Sequence, residues 1–333
     1  MKDLLIVLTA RCSSDRFPNK VLAEVDGLPL IYWIALRLKA TKNSRVIIAT
    51  TTSPSDDPLV EIAESFEEIS LYRHPEVNDV VGRMTGALEL YGEGAKYIFR
   101  ALGDCPFIAP EILDESVKTM KANKSDAFLW MLPPEVLPVY GAREFPYSIA
   151  GWRKIDRNSK GEEREHVDMW FSRNRNRFKI AYHDPPDSVY FRTYRLEVDW
   201  PEDLELVRKV AKGVGMLESL PEINHFIDNN PDVARLNVKR VEKTGPTISY
   251  NYRERRSWFK LMQGVPVVAW DGSIWNAPNE KATPVFCSSG KCLVGYGWEG
   301  ELHTREGHRI KGFSRISCPC GTGKVWQSPI RGR

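Results

Sequence analysis

The sequence predicts an α/β fold, a mostly parallel sheet with helices on both faces, joined to a small β-rich module at the C-terminal end. Three observations carry this expectation. Over residues 1–132, short apolar runs alternate with segments of helical periodicity. Two of those segments carry proline in the first turn, where its missing N–H costs nothing. Near residue 243 the alternation stops, and strand-like runs punctuated by Gly, Trp and Pro take over, with four of the six cysteines. Strand–helix alternation implies parallel strands, because each crossover helix packs back over the sheet and buries a face.

The elements follow in order. "LLIVL" (4–8), "RVIIATT" (45–51), "ISLYR" (69–73), "YIFRAL" (97–102) and "DAFLWML" (126–132) read as strands. Between them, "LPLIYWIALRLKA" (28–40) places Leu28, Ile31, Ala35 and Leu38 on one helical face. "DDPLVEIAESF" (56–66) and "PEILDESVKTMKA" (110–122) are the two helices with early proline. Residues 133–160 open with "PPEVLPVYGAREFPYSIAG", a proline-rich, aromatic texture that reads as a loop or a β-excursion from the sheet. A polar helix ("GEEREHVDMWFSRN", 161–174), two strands ("FKIAYH", 178–183, and "YRLEVD", 194–199) and a helix from Pro201 complete the αβ part. The expected domains are 1–243 and 244–333.

Composition excludes more than it selects. With 333 residues, 42% of them hydrophobic, the chain can bury one large core beside a small appendage. A formal charge of +3 gives no whole-protein field for nucleic acid. The basic runs "SRNRNRFK" (172–179), "NVKRVEK" (237–243) and "YRERRSWFK" (252–260) read as solvated faces or linkers. Residue 1 leads directly into a strand, with no signal peptide before it, and no apolar run approaches the ~20 residues that span a bilayer. A soluble cytoplasmic protein is expected, its cysteines thiols unless a metal takes them.

Chemistry concentrates after the first strand. Arg11, Ser13, Ser14, Arg16 and Lys20 directly follow five apolar residues, at the carboxyl end of a strand, where ligands of open α/β sheets bind. The stretch contains neither GxxxxGK[ST] nor GxGxxG. By spacing alone, a polar loop and an anion grip fit equally. Two carboxylates, Asp104 and Asp199, end later strands and could converge on Mg²⁺, although an Asp before a proline-led helix also suits helix capping.

"ARCSSDRFPNKVL" resembles the ARxxSxRxPxKxL signature of the cytidylyltransferases that activate acidic sugars. It is most similar to the spore coat polysaccharide (SpsF-like) branch, and more distantly to the 3-deoxy-manno-octulosonate and acylneuraminate enzymes. The likeness continues in order through "ATTTSPSDDPLVEIAE" (49–64), "NDVVGRMTGAL" (78–88), "RALGDCPFIAPEILD" (100–114), "REHVDMWF" (164–171) and "YRLEVDWPEDLELVR" (194–208). The resemblance implies a Rossmann-like nucleotidyltransferase (GT-A-like) fold and attack of an acceptor oxygen on the α-phosphate of CTP, releasing pyrophosphate. It implies Asp104 and Asp199 as the Mg²⁺ pair and Arg11 and Lys20 on the β- and γ-phosphates, with Ser13, Ser14 and Arg16 in the same loop. Arg83 and Arg100 are further candidates for nucleotide or acceptor. Asp79 is expected to cap a helix, and Glu165 and His166 to lie on the acceptor side, His166 equally fitting an interfacial role. Cys12 reads as packing, though nearby cations could lower its pKa. A homodimer is expected.

In the tail, "CSSGKC" and "CPCG" pair Cys287 with Cys292 and Cys318 with Cys320, a set that suits structural Zn²⁺ in a ribbon-like module; His303 and His308 are possible substitutes. The tail's Trp, Tyr, Arg and Lys residues suit nucleic-acid stacking or docking on the catalytic domain alike, and nucleic acid is not the expected partner. Two other readings remain. A GT-A-like glycosyltransferase would share the layout but usually shows Asp-x-Asp, which "GDCP" lacks; a non-catalytic module recruited through the tail would have less use for Arg11, Lys20, Asp104 and Asp199 together.

Overall fold

The computed structural model describes residues 2–130, 145–183, 194–237, 267–268, 274–275, 282–286, 293–298, 301–304 and 309–311. The expected boundary at 243–244 and Cys287, Cys292, Cys318, Cys320 and His308 lie outside the described residues. Those that are described fall into two compact units, one holding 2–130, 145–183 and 196–220, the other 194–195, 221–237 and the later stretches.

The first unit is built in chain order from β1 (Leu4–Thr9), a small hairpin of β2 (Glu24–Val25) and β3 (Leu28–Pro29), α1 (Leu30–Lys39), β4 (Ser44–Thr51), α2 (Asp57–Glu64), β5 (Ser70–His74), α3 (Val80–Tyr91), β6 (Tyr97–Leu102), α4 (Pro110–Asn123) and β7 (Ala127–Trp130). It continues through β8 (Tyr147–Ser148), α5 (Ile149–Asn158), α6 (Glu162–Glu165), α7 (Asp168–Arg173), β9 (Ile180–His183) and α8 (Pro201–Val214). Seven strands form one sheet in the order β5-β4-β1-β6-β8-β7-β9. β1 runs parallel to both neighbours, Leu4 lying opposite Ser44 and Tyr97, and β8 alone runs against the rest. The chain steps outward from β1 to β5, then returns to β1's other side with β6. That reversal opens a crevice at the carboxyl ends of β1 and β6.

All six side chains of β1 are buried. Alternate residues point to opposite faces of a strand, so both faces of the sheet are covered. One face carries Leu5, Val7, Ile47, Ala49 and Ile98, packed with Val81, Met84 and Ala87 of α3 and with Trp152 and Ile155 of α5. Each fully buried Leu, Ile or Val contributes about 1.5–3 kcal/mol relative to exposure.

Four expectations change. Leu28, expected on the helical face of 28–40, pairs with Val25 in the β2–β3 hairpin, and α1 begins at Leu30. Of the stretch 133–160, expected to be a loop or a β-excursion, 133–144 lie outside the described residues, 147–148 join the sheet as β8, and 149–158 form a helix, α5, because Ser148 caps it, its hydroxyl accepting from Gly151 N at 3.0 Å. The single helix over 161–174 is divided into α6 and α7, since His166 leaves helical geometry at φ −97°, ψ 80°. No strand forms over 194–199. Beyond a single bridge at Arg195, the donors at its end are committed elsewhere: Val198 N bonds Asp104 O at 2.8 Å, and Asp199 N, like Trp200 N after it, donates to Asp203 Oδ2 at 2.9 Å. A peptide group committed to such partners cannot also join a ladder.

In the second unit, α9 (Leu220–Asn229) continues from the first and α10 (Pro231–Arg235) follows, while Asn237 Nδ2 donates to Arg195 O at 2.9 Å. Further on, β10 (Val267–Val268) pairs with β11 (Ile274–Trp275). A four-stranded antiparallel sheet joins β12 (Thr283–Phe286), β13 (Leu293–Trp298), β14 (Glu301–His303) and β15 (Arg309–Lys311). His303 lies 3.9 Å from Glu301.

Candidate active site

The chain leaving β1 folds back on itself. Cys12 O accepts from Asn19 N at 2.9 Å, and Asn19 takes the left-handed conformation (φ 57°), which Asn tolerates better than most residues. That turn starts a short 3-10 segment, Lys20–Leu22, and brings the Lys20 side chain to Asp104, just past the end of β6. There Gly103 is required. A Cβ at this position would lie 2.9 Å from the Ala10 Cβ and 3.1 Å from Thr9 O, so only glycine lets the ends of β1 and β6 approach.

Lys20 joins the two predicted carboxylates. Its Nζ lies 2.6 Å from Asp104 Oδ2 and 2.8 Å from Asp199 Oδ1. Arg16 Nη2 reaches the same Asp199 oxygen at 2.7 Å. Asp199 is not a cap: Asp203 receives the N–H groups at the start of α8, leaving the Asp199 carboxylate to face the cleft. Burial opposes ionisation of Asp199, but Lys20, a hydrogen bond with Glu197, and Arg16 outweigh it and hold its pKa at about 2. Burial likewise favours a neutral Lys20 amine, and the charges of Asp104 and Asp199 override it and raise its pKa.

A carboxylate held below its ordinary pKa stabilises the fold above its unfolded value and loses that contribution as pH falls through the folded one. For Asp199 this window runs from 3.8 down to about 2. The gap in Tm between the wild type and Asp199→Asn at neutral pH is therefore expected to narrow steadily below about pH 4. A calorimetric pH series checks it; a gap that stays constant to about pH 2 would remove the ion pair as its cause.

Asp104, Glu197 and Asp199 each offer one carboxylate oxygen, all within 4.8 Å of one another. An all-oxygen, acidic donor set of this size fits a hard divalent cation such as Mg²⁺. Glu197 was not singled out from sequence. Its position two residues before Asp199 was the available signal, because extended chain turns i and i+2 to the same side.

Across the cleft lie three arginines. Arg11 Nη1 donates to Asn78 Oδ1 at 3.3 Å, and its Nη2 stands 3.8 Å from Glu165 Oε1. Arg83 is 2% exposed; its Nη2 donates to Val77 O at 2.7 Å, while its Nε has no hydrogen-bond partner. Burial first, then the nearby charge of Arg11, pushes Arg83 down to about 10, with Arg100 acting in the same direction. Arg100 Nε reaches Thr9 Oγ1 at 3.4 Å. Like charges held this close to a buried guanidinium make a site for anions. Asp79 caps α3 as expected, accepting from Gly82 N at 2.7 Å, and also takes Arg164 Nε at 2.7 Å, tying α6 to α3. The break after α6 turns Glu165 and His166 toward the same space. The whole cleft, with Ser13 and Ser14 on its rim, encloses about 480 Å³. That volume suits a nucleotide-sized ligand. Cys12 packs as expected and its pKa rises to about 11, through burial and then the Asp56 charge; the neighbouring cations do not lower it.

A family model described as "Cytidylyltransferase" matches residues 5–219, a span that contains every residue of this cleft. The chain belongs to the cytidylyltransferase family. It is thus a nucleotidyltransferase. An uncharacterized protein of Methanocaldococcus jannaschii is 27% identical to this cytidylyltransferase over 241 residues, 72% of this chain and 96% of that one. The spore coat polysaccharide biosynthesis protein SpsF of Bacillus subtilis is 24% identical, over 70% and 98% of the two chains. The 3-deoxy-manno-octulosonate cytidylyltransferase of Rhizobium etli is 31% identical over 128 residues, 37% of this chain and 49% of that one. Among solved structures, a cytidylyltransferase from Leptospira borgpetersenii shares the fold, with a TM-score of 0.62 at 24% identity over 75% of this chain and all of that one. Among the described residues, no helix of this cytidylyltransferase is long and apolar enough to cross a membrane.

Proposed function

We propose that this protein transfers CMP from CTP to an oxygen of a small, sugar-like acceptor. The observation that carries the reading is Lys20 bonded at once to Asp104 and Asp199, cations from the first β–α connection meeting two carboxylates that end distant segments. Arg11, Ser13, Ser14, Arg16 and Lys20 bind the triphosphate, holding charge that grows on the pyrophosphate as it leaves. Arg83 and Arg100 supply further positive charge to nucleotide or acceptor. An acceptor oxygen attacks the α-phosphorus, a P–O bond to it forms, the bond to the bridging oxygen breaks, and the acceptor's proton is released. No covalent bond to the protein is needed, so positioning and charge supply the rate. Asp104 and Asp199, with Glu197 beside them, would hold Mg²⁺, which when bound supplies neutralising charge at the phosphates. Glu165 and His166 face the acceptor.

A nucleotide-by-acceptor screen for pyrophosphate tests this. CTP with an acidic sugar is expected to release pyrophosphate in the presence of Mg²⁺, and the other nucleoside triphosphates to release much less. Release from a sugar nucleotide, with none from CTP, would favour the glycosyltransferase reading. Metal analysis and light scattering of the same preparation test zinc at Cys287, Cys292, Cys318 and Cys320, and the homodimer.

A further inference from the structure

We infer that Asp56, which does not line the cleft, is a positioning residue for nucleotide binding: it brackets the phosphate loop to the end of β4 and so sets Arg11 and Lys20. The inference rests on the proposed function only for the identity of the nucleotide.

Asp56 is 1% exposed and sits in the turn between β4 and α2, 44 residues from its partner Cys12. Its two oxygens divide the work. Oδ2 accepts from Thr51 Oγ1 at 2.5 Å, Thr50 Oγ1 at 3.0 Å and Thr51 N at 3.3 Å, all on the last two residues of β4. Those residues are themselves fixed, Thr50 opposite Arg73 and Thr51 opposite His74 in the ladder with β5. Oδ1 takes the Cys12 N–H at 2.7 Å. Cys12 is thereby held at both of its backbone polar groups, its N–H by Asp56 and its carbonyl by Asn19 N. Arg11 precedes Cys12 and Lys20 follows Asn19, so both cations leave the loop from pinned residues.

The carboxylate is suited to this work in a way an amide is not. Four donors converge on it, and an anion accepts from all of them. Burial opposes its ionisation, and the bonds from Thr51, Cys12 and Thr50 outweigh that and keep its pKa below the ordinary value. In Asp56→Asn one oxygen becomes an NH₂ group, and only one acceptor oxygen remains for the two backbone donors, so in either orientation the NH₂ meets the N–H of Cys12 or of Thr51 donor to donor. Side-chain shape is kept while the bracket is loosened.

The test compares Asp56→Asn with Thr51→Val, which removes a bond to Oδ2 but leaves the bond from Oδ1 to Cys12. CTP affinity is read by calorimetry without acceptor, and Cys12 alkylation by iodoacetamide is read by peptide mass spectrometry. Asp56→Asn is expected to weaken CTP binding roughly tenfold or more and to speed Cys12 alkylation, as losing a charge-assisted hydrogen bond would do. Thr51→Val is expected to keep near-normal affinity and slow alkylation even though its Tm falls. Asp56→Ser, which adds no bulk, is the second variant, with the same expected losses. Wild-type CTP affinity in the Asp56 variants, or equal losses in Asp56→Asn and Thr51→Val, would overturn the inference. If the wild type itself fails to bind CTP, the proposed function falls, and the alkylation rates alone still decide whether Asp56 holds the loop.

Discussion

Asp104→Ala is expected to reduce turnover by roughly 10³-fold while circular dichroism and thermal unfolding stay close to wild type. The side chain lies at the mouth of the cleft, 22% exposed, outside the apolar core. Its removal leaves Lys20 still paired with Asp199, so no buried charge is stranded. The backbone carbonyl of residue 104, which accepts from Val198 N at 2.8 Å, is untouched by the substitution. What disappears is one of three carboxylates able to hold a divalent cation, together with half of Lys20's anchorage. Pyrophosphate release from CTP, measured beside a calorimetric scan, separates the two effects. Near-normal turnover in a folded variant would take Asp104 out of the site.

Lys20→Met carries the second large effect, and it works in two directions. Lys20 is 8% exposed and its ammonium lies within 2.8 Å of both carboxylates, in the space where a bound cation would meet them. Methionine matches its length without its charge. Loss of a cation from the triphosphate is expected to lower kcat/KM for CTP by roughly 10²–10³-fold. The carboxylates, relieved of that ammonium while Asp199 keeps Arg16, are by contrast expected to bind Mn²⁺ more tightly than wild type in the absence of nucleotide, read by calorimetry. The physical reason is competition. A fixed ammonium between two carboxylates lowers the field an incoming cation meets, and removing it restores that field. Unchanged Mn²⁺ affinity with unchanged kcat/KM would show that Lys20 does neither job.

Local pattern made much of this legible. β6 coincides with "YIFRAL", and α4 begins at Pro110, because a run of buried residues and a proline at the first helical position are signals that neighbours in sequence supply. Arg11 and Lys20 stood out only in part that way: their place after a buried strand fitted a polar loop equally, and the family resemblance supplied their role. Glu197 and Asp56 were not visible. Each looks like an ordinary acid near a helix start, and each acquires its meaning from a partner far along the chain, Asp104 in one case and Cys12 in the other.

The amino-acid sequence by itself determined the alternation of strands and helices, the parallel sheet that follows from it, and the places of Arg11 and Asp104 just past the ends of β1 and β6. These depend on spacing and on side-chain type, which act over a few residues. Only the tertiary structure decided that "YRLEVD" is no strand, that the 161–174 helix divides, and that Lys20 rests on two carboxylates. Those outcomes turn on which donor reaches a distant acceptor first, as Val198 N does at Asp104 O. Hydrogen bonds between remote segments have no periodicity to read.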